Sequence, residues 1–365
     1  MSAPPARPPV DLSANENPLG PSPKALAALA AAMGGLHRYP DRACTRLKAA
    51  LALRLGVSAR QIAIGNGSCE VLDLAVRGLI APGEKVILGT PGFPAYRGAV
   101  RRAGGQAVLV PARDYRDDLT AMLGQIDSRT RLLVLGNPGN PTGTLIGRPA
   151  LLAFLDRLPA GVTLILDEAY RDFVADASLP DAVDLLQAGR PVVALRSFSK
   201  VHGLAGLRVG YAVATPDLIA RMQAEHQQFN TNTLAQAAAL AALEDEAHVA
   251  ATIELNRRGR EELFAGLAAR GFDPVPSQAN FVLVRVGDGA GLVLRLAAQG
   301  VLVKELGRYG LDDHIRVSCG RAPDHARFFA ALDAVWPPRG GNGWNTRRGT
   351  HLALDGDLFS ANKRY

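Results

Sequence analysis

From Ile62 onward the apolar positions fall into two alternating rhythms. Short, nearly continuous apolar runs recur at Ile62–Ile64, Val86–Leu88, Ala107–Val110, Leu132–Leu135, Val162–Leu166, Val192–Leu195 and Val209–Val213. The segments between them carry apolar residues every three to four positions, as in Val71, Leu72, Leu74, Ala75 and Leu79. Runs that do not alternate with polar residues are strands buried on both faces, and helices between them make the sheet mostly parallel. The expected fold is therefore α/β, a large domain built on a helix-covered, mostly parallel sheet.

Before this region, helices are predicted at Pro23–Met33 and Thr45–Leu55, closed by Gly34-Gly35 and Gly56. Residues 1–10 read as a flexible arm. Asp11–Gly20 reads as a turn-rich segment that could form a lid, with Pro18, Gly20, Pro21 and Pro23 opposing regular structure. After the sheet, helices are predicted at Pro216–Gln227, Leu234–Glu244 and Ala247–Arg270, the last long enough to bridge two domains. Strands at Phe281–Val284, Val301–Val303 and Ile315–Ser318, with helices at Gly291–Gln299 and Pro323–Trp336, make a smaller α+β domain. The expected division is an arm or lid over 1–30 that belongs with the small domain, a large domain over 31–245, a small domain over 246–336 and a disordered tail over 337–365.

Composition narrows the function classes. The chain has 365 residues, 48% of them hydrophobic, but no apolar stretch long enough to span a membrane, and its proline-rich start is not a secretory signal. Three scattered cysteines, Cys44, Cys69 and Cys319, argue against a disulfide framework or a metal site and for a reducing cytoplasm. The net charge of +7 comes without a basic, aromatic-interleaved block, so nucleic acid is not an expected partner, while small anions are compatible.

The candidate chemistry lies just past predicted strands, where ligands sit in such sheets. In Ser197-Phe-Ser-Lys200, hydroxyls precede the lysine by one and three positions, and Arg208 follows it by eight. That spacing suits a phosphorylated aldehyde cofactor, with the amine forming a Schiff base and the hydroxyls and guanidinium holding the phosphate; a surface lysine beside a loop is the plainer alternative. Gly65-Asn-Gly-Ser-Cys69 before a helix can bind an anion through backbone N–H groups, or be an ordinary turn. Asn137-Pro-Gly-Asn-Pro-Thr-Gly143 is a rigid turn that can hold an Asn amide against a ligand oxygen. Asp167 ends an apolar run, and such a carboxylate needs a cation, which a pyridinium nitrogen supplies. A metal-binding acid is the rival, weakened by the absence of a triphosphate-binding loop.

Taken together and in order, Asn-Pro-Thr-Gly, Asp-Glu-Ala-Tyr, Ser-Phe-Ser-Lys and Arg208 resemble the fold type I, aspartate-aminotransferase-like pyridoxal-phosphate enzymes. Ser-Ala-Asn-Glu-Asn-Pro-Leu-Gly, Arg-Tyr-Pro-Asp, Gly-Asn-Gly-Ser, Gly-Leu-Ala-Gly-Leu-Arg, Ser-Gln-Ala-Asn-Phe281 and Ile315-Arg-Val-Ser318 resemble histidinol-phosphate aminotransferases within that group, over roughly residues 10–335. The resemblance implies pyridoxal 5'-phosphate as cofactor, Lys200 as Schiff-base lysine and proton shuttle, and Asp167 against the pyridine nitrogen. Asn140 and Tyr170 would bond the ring hydroxyl, and Phe93 would stack on the ring. Ser68, Cys69, Ser197, Ser199 and Arg208 would hold the phosphate. Tyr39 would reach the phosphate in a neighbouring subunit, implying a homodimer. Arg316, Lys304 and Asn17 would bind substrate. Cys69 stands where many relatives have Asp, and Lys304 where histidinol-phosphate enzymes typically have Arg, keeping the charge and losing the bidentate fork.

The implied activity is transfer of an amino group from L-histidinol phosphate to a 2-oxo acid, 2-oxoglutarate. Aromatic amino acids are the alternative donors. Threonine-phosphate decarboxylase is a second enzyme class that shares several motifs, while Gly-Leu-Ala-Gly-Leu-Arg and Gln278-Ala-Asn-Phe favour the aminotransferase. A non-enzymatic cofactor-binding regulator would carry a DNA-binding domain before the fold, and only about ten residues precede the first motif here.

Overall fold

The computed structural model describes residues 8–175 and 179–336. The expected disordered tail and the first seven residues of the arm lie outside them. Two sheets organise the chain. The larger contains β2 (Ile62–Gly65), β3 (Lys85–Thr90), β4 (Gln106–Pro111), β5 (Thr130–Gly136), β6 (Thr163–Asp167), β7 (Val192–Ser197) and β8 (Gly210–Val213), in the order β2-β8-β7-β6-β5-β3-β4. Only β8 runs against its neighbours. The smaller contains β1 (Val10–Leu12), β9 (Pro274–Val275), β10 (Phe281–Arg285), β11 (Val301–Glu305) and β12 (His314–Ser318), in the order β1-β11-β12-β10-β9.

The apolar runs of the large sheet are continuous because successive residues enter two different cores. Leu164 and Leu166 pack on one face of β6 with Leu133, Leu135 and Ala194. Ile165 packs on the other with Leu132, Val134 and Val193. Helices cover both faces, as the pattern of the strands requires. The single antiparallel strand has a consequence for chemistry. Because β8 runs against β7, with Gly210 opposite Ser197, the start of β8 meets the end of β7. Residues just before β8 therefore arrive at the same sheet edge as residues that follow the parallel strands.

Three expectations need correction. The segment after Val10 is not free of regular structure: Val10, Asp11 and Leu12 pair in parallel with Val301, Leu302 and Val303. Val10 and Leu12 point into the small core while Asp11 points out, and the proline block begins only at Pro18. The run from Val209 does not begin β8, which starts at Gly210; Arg208 lies in the left-handed region at φ 55°, closing a 3-10 turn over Ala205–Leu207. A helix at Ala182–Gln187 was not legible from periodicity, being a single short segment capped by the Asp181 carboxylate.

The long helix Glu246–Ala269 packs against β10 and the closing helix Ala322–Val335. Among the described residues no helix is long and apolar enough to cross a membrane.

Leu12 is buried against Gly320 and the small core. Leu12→Ala should lower stability by about 2–4 kcal/mol in urea unfolding; a loss below about 0.5 kcal/mol would show that β1 adds nothing to that core.

Candidate active site

The ends of β5, β6 and β7 deliver Asn140, Asp167 and Lys200 to the same edge of the sheet. At the end of β6, Asp167 accepts from the Tyr96 hydroxyl at 2.9 Å and from the Ala169 N–H at 3.0 Å. Burial nevertheless dominates and raises its pKa, against the pull of those donors and of Lys200. The next residue, Glu168, points the other way into a buried ion cluster, where it binds Arg196 at 2.8 Å; Arg196 also holds Asp181 at 2.7 Å. One of two consecutive carboxylates is thus neutralised by arginine, and the other has no salt-bridge partner among the described residues. Alternation along the strand separates them.

Lys200 follows β7. Its ammonium donates to the carbonyls of Asn15 at 3.1 Å and Ala14 at 3.3 Å and lies 5.6 Å from the Tyr170 ring centre. Burial, aided by Arg316 and Arg208, pulls its pKa down to about 8, with Glu16 opposing. Tyr170 is buried edge-on against Phe281, and its hydroxyl accepts from the Asn15 amide at 3.0 Å.

A cradle for a dianion forms where the helix Ser68–Leu79 begins. Gly67, at φ 83°, precedes it, and a Cβ there would collide with the Arg208 guanidinium. Gly210 lies so close that a Cβ on it would sit 2.5 Å from the Ser68 nitrogen. Arg208 is anchored on the Ala205 carbonyl at 3.0 Å and reaches Ser199 Oγ at 3.5 Å, while the Ser199 N–H donates to Ser197 Oγ at 3.0 Å. Backbone N–H groups, two hydroxyls and a guanidinium converge there. Cys69 lies in the first turn of that helix, half-buried. Burial raises its thiol pKa, and Asp167 raises it further.

The two asparagines of the Asn-Pro motif separate in role. Asn137 is a turn clasp, donating to the Ile146 carbonyl at 3.0 Å and accepting from its N–H at 2.8 Å. Asn140 faces the small sheet, where its carbonyl oxygen accepts from Arg316 at 2.5 Å. Arg316 is 4% exposed, donates also to the Ser13 carbonyl at 3.1 Å, and lies over the Phe281 ring at 5.0 Å. Its Nε is buried with no hydrogen-bond partner among the described residues. Lys304 stands directly opposite on β11 and is exposed.

The remaining candidates are placed as follows. Phe93 is half-buried at the start of the helix Pro94–Arg102, edge-on to Tyr96 at 5.7 Å. Tyr39 is 82% exposed and stacks on Phe229 at 4.7 Å. Asn17 spends its side chain on the chain itself, donating to the Val201 carbonyl at 3.0 Å and Thr252 at 3.2 Å and accepting from the Leu19 N–H at 2.9 Å. Sequence reasoning missed Asn15 and Tyr96. Tyr96 carried a signal, an aromatic three residues after Phe93 in a helix start; Asn15 carried none beyond its place in the motif.

The family profile described as aminotransferase class I and II matches residues 7–333. The chain belongs to this family. The aminotransferase is 44% identical over 324 residues to histidinol-phosphate aminotransferase 1 of Dechloromonas aromatica, covering 89% of both chains. It is 45% identical over 330 residues to histidinol-phosphate aminotransferase 2 of Ralstonia nicotianae, covering 89% of this chain and 88% of that one. Among solved structures it resembles histidinol-phosphate aminotransferase from Sinorhizobium meliloti in complex with pyridoxal-5'-phosphate. That match has a TM-score of 0.83 and 32% identity, over 89% of this chain and 90% of that one. A Thermus thermophilus aspartate aminotransferase superposes with a TM-score of 0.80 at 25% identity, over 89% of this chain and 96% of that one.

The aminotransferase depends on pyridoxal 5'-phosphate, and its donor set fits that group. The cradle suits a phosphate dianion, the cation-free Asp167 suits a pyridinium, and Lys200 offers an amine of lowered pKa between them.

Gly67→Ala should push Arg208 out of the cradle and weaken cofactor binding about tenfold or more, as measured by titrating the cofactor-free protein. Unchanged affinity would remove Arg208 from the phosphate site. In the cofactor-free protein, amine-reactive labelling of Lys200 should rise with pH through a midpoint near 8. A midpoint near that of exposed lysines, about 10.4, would contradict the burial that lowers it.

Proposed function

We propose that the enzyme transfers the amino group of L-histidinol phosphate to 2-oxoglutarate. The observation that carries this reading is the pairing of Arg316 and Lys304, two cations in register on neighbouring strands, the first buried and the second exposed. Like charges directly opposite each other destabilise a sheet. A phosphomonoester dianion offsets both, whereas the single carboxylate of an aromatic amino acid matches only one. The unpartnered Nε of Arg316 gives that anion a further buried donor.

When bound, the cofactor supplies an aldehyde that captures the substrate amine and a protonated ring that takes up the electron pair released at the α-carbon. The chain's own residues do the rest. Asp167, braced by Tyr96 and Ala169, holds negative charge against the ring nitrogen and keeps it protonated. Tyr170 and Asn140 would bond the ring hydroxyl, Phe93 would cover a ring face, and Ser68, Cys69, Ser197, Ser199 and Arg208 would anchor the phosphate. Lys200 moves the proton at the α-carbon. Burial and the neighbouring arginines lower its pKa to about 8 in the cofactor-free chain, which favours its free base near neutral pH. A rise in pH through 8 completes its deprotonation.

The reading extends to assembly. Tyr39, exposed and stacked on Phe229, reaches the cofactor phosphate of a neighbouring subunit in a homodimer. Leu26, Met33, Leu36 and Leu53, all exposed, supply apolar surface for that contact. Residues 31–245 form the cofactor-binding domain and 246–336 the small one, which β1 joins by pairing with β11, while the helix Pro23–Ala32 packs on the helix Thr233–Leu243 in the large-sheet core. The unpaired cysteines suit a reducing cytoplasm.

Mixing the cofactor-loaded enzyme separately with L-histidinol phosphate, L-phenylalanine and threonine phosphate tests the substrate. Fast conversion of the cofactor to its amine form is expected with histidinol phosphate. Lys304→Ala should raise its KM by about 10- to 100-fold and leave phenylalanine unaffected. Preference for phenylalanine, or carbon dioxide released from threonine phosphate, would overturn the assignment.

A further inference from the structure

Five hydrogen bonds converge on Asn15. Its N–H donates to Ser318 Oγ at 2.9 Å, and that hydroxyl donates back to the Asn15 side-chain oxygen at 3.0 Å. Its side-chain amide donates to the Tyr170 hydroxyl at 3.0 Å. Its backbone carbonyl accepts from Lys200 at 3.1 Å and from Asn280 at 3.0 Å. The residue is 1% exposed and sits at φ 55°, a conformation that Asn tolerates better than other side-chain-bearing residues. The segment that carries it is tied down on both sides. Val10 and Leu12 pair with β11, Arg321 donates twice to the Pro18 carbonyl at 3.0 and 2.7 Å, and the Gly20 carbonyl crowds Gly203 too closely for any Cβ there.

A tyrosine hydroxyl has one proton and two lone pairs. The Asn15 amide fills a lone pair of Tyr170, so the proton of that hydroxyl is turned toward another acceptor. A hydroxyl that accepts a hydrogen bond also donates more strongly. Burial raises the pKa of Tyr170, and the Asn15 bond is one of the influences opposing that rise. Ser318 lies two residues beyond Arg316 on β12, so both point to the same face of the strand. Asn15 thereby joins the strand that carries the substrate-binding arginine to the tyrosine beside the lysine.

We propose that Asn15 is a positioning residue that aims and strengthens the Tyr170 hydroxyl as a donor to the cofactor's ring oxygen. The proposal rests on the reading that Tyr170 faces the cofactor. A weaker Tyr170 donor leaves that oxygen more basic, so the proton it shares with the cofactor-linked Lys200 nitrogen is held to higher pH.

The test is a pH titration of the visible absorption band of the cofactor-loaded protein. Asn15→Gly keeps the positive φ and the backbone carbonyl and removes only the amide. It should raise the titration midpoint by about half to one pH unit. Tyr170→Phe should raise it at least as far, and Asn15→Gly added to Tyr170→Phe should raise it no further. Asn15→Ala, which also loses the amide but fits the backbone less well, should match the Gly midpoint while melting at lower temperature. An unmoved midpoint in Asn15→Gly alongside a shifted one in Tyr170→Phe would overturn the role of Asn15 alone. So would a full extra shift in the double variant, or a midpoint that follows melting temperature across the Gly and Ala variants. A silent Tyr170→Phe would overturn both the proposal and the reading beneath it.

Discussion

Two opposite charges, Asp167 and Lys200, share a half-buried site, and neither is paired with the other among the described residues. Burial drives each toward its neutral form, raising the carboxyl and lowering the amine. The architecture maintains this separation. Asp167 is restrained by a tyrosine hydroxyl and a backbone N–H, which leave it without a cation, while the adjacent Glu168 takes the arginine behind the sheet. Lys200 rests on two backbone carbonyls, which orient it without adding a counter-charge. Were Arg196 directed to Asp167 instead, the carboxylate would be satisfied before a pyridinium arrived.

The second constraint is that the two sheets must complete one site. The large sheet alone provides the lysine, the carboxylate and the dianion cradle. The small sheet adds Arg316, which reaches Asn140 of the Asn-Pro turn, and Ser318, which reaches Asn15. The segment from Val10 to Pro21 crosses between them, a strand of the small sheet at one end and a support for Lys200 and Tyr170 at the other. The two sheets are therefore mechanically linked where these side chains meet.

Much of this was legible in the sequence because buried parallel strands are written as apolar runs, and every run of the large sheet from Ile62 to Val213 became a strand. The chemical residues were legible because their spacing is tied to strand ends. Less legible was anything set by long-range contact. Leu12 looks like part of a loop until Val303 is beside it. Asn17 and Asn15 are indistinguishable in the motif, yet one ties the segment to Val201 and Thr252 and the other touches Tyr170 and Lys200. Likewise Asn137 and Asn140 occur in equivalent Asn-Pro steps, and only the fold turns one inward to its own turn and the other toward Arg316.

The central claim is that Lys200 is the amine joined to the cofactor, and the chain has only five other lysines: Lys24, Lys48, Lys85, Lys304 and Lys363. Reducing the cofactor-loaded protein with borohydride fixes the cofactor to its lysine, and mass spectrometry of the peptides locates it. The account predicts one pyridoxyl group per chain, on the peptide that contains Lys200. A pyridoxyl group on any other lysine, with Lys200 unmodified, would contradict it.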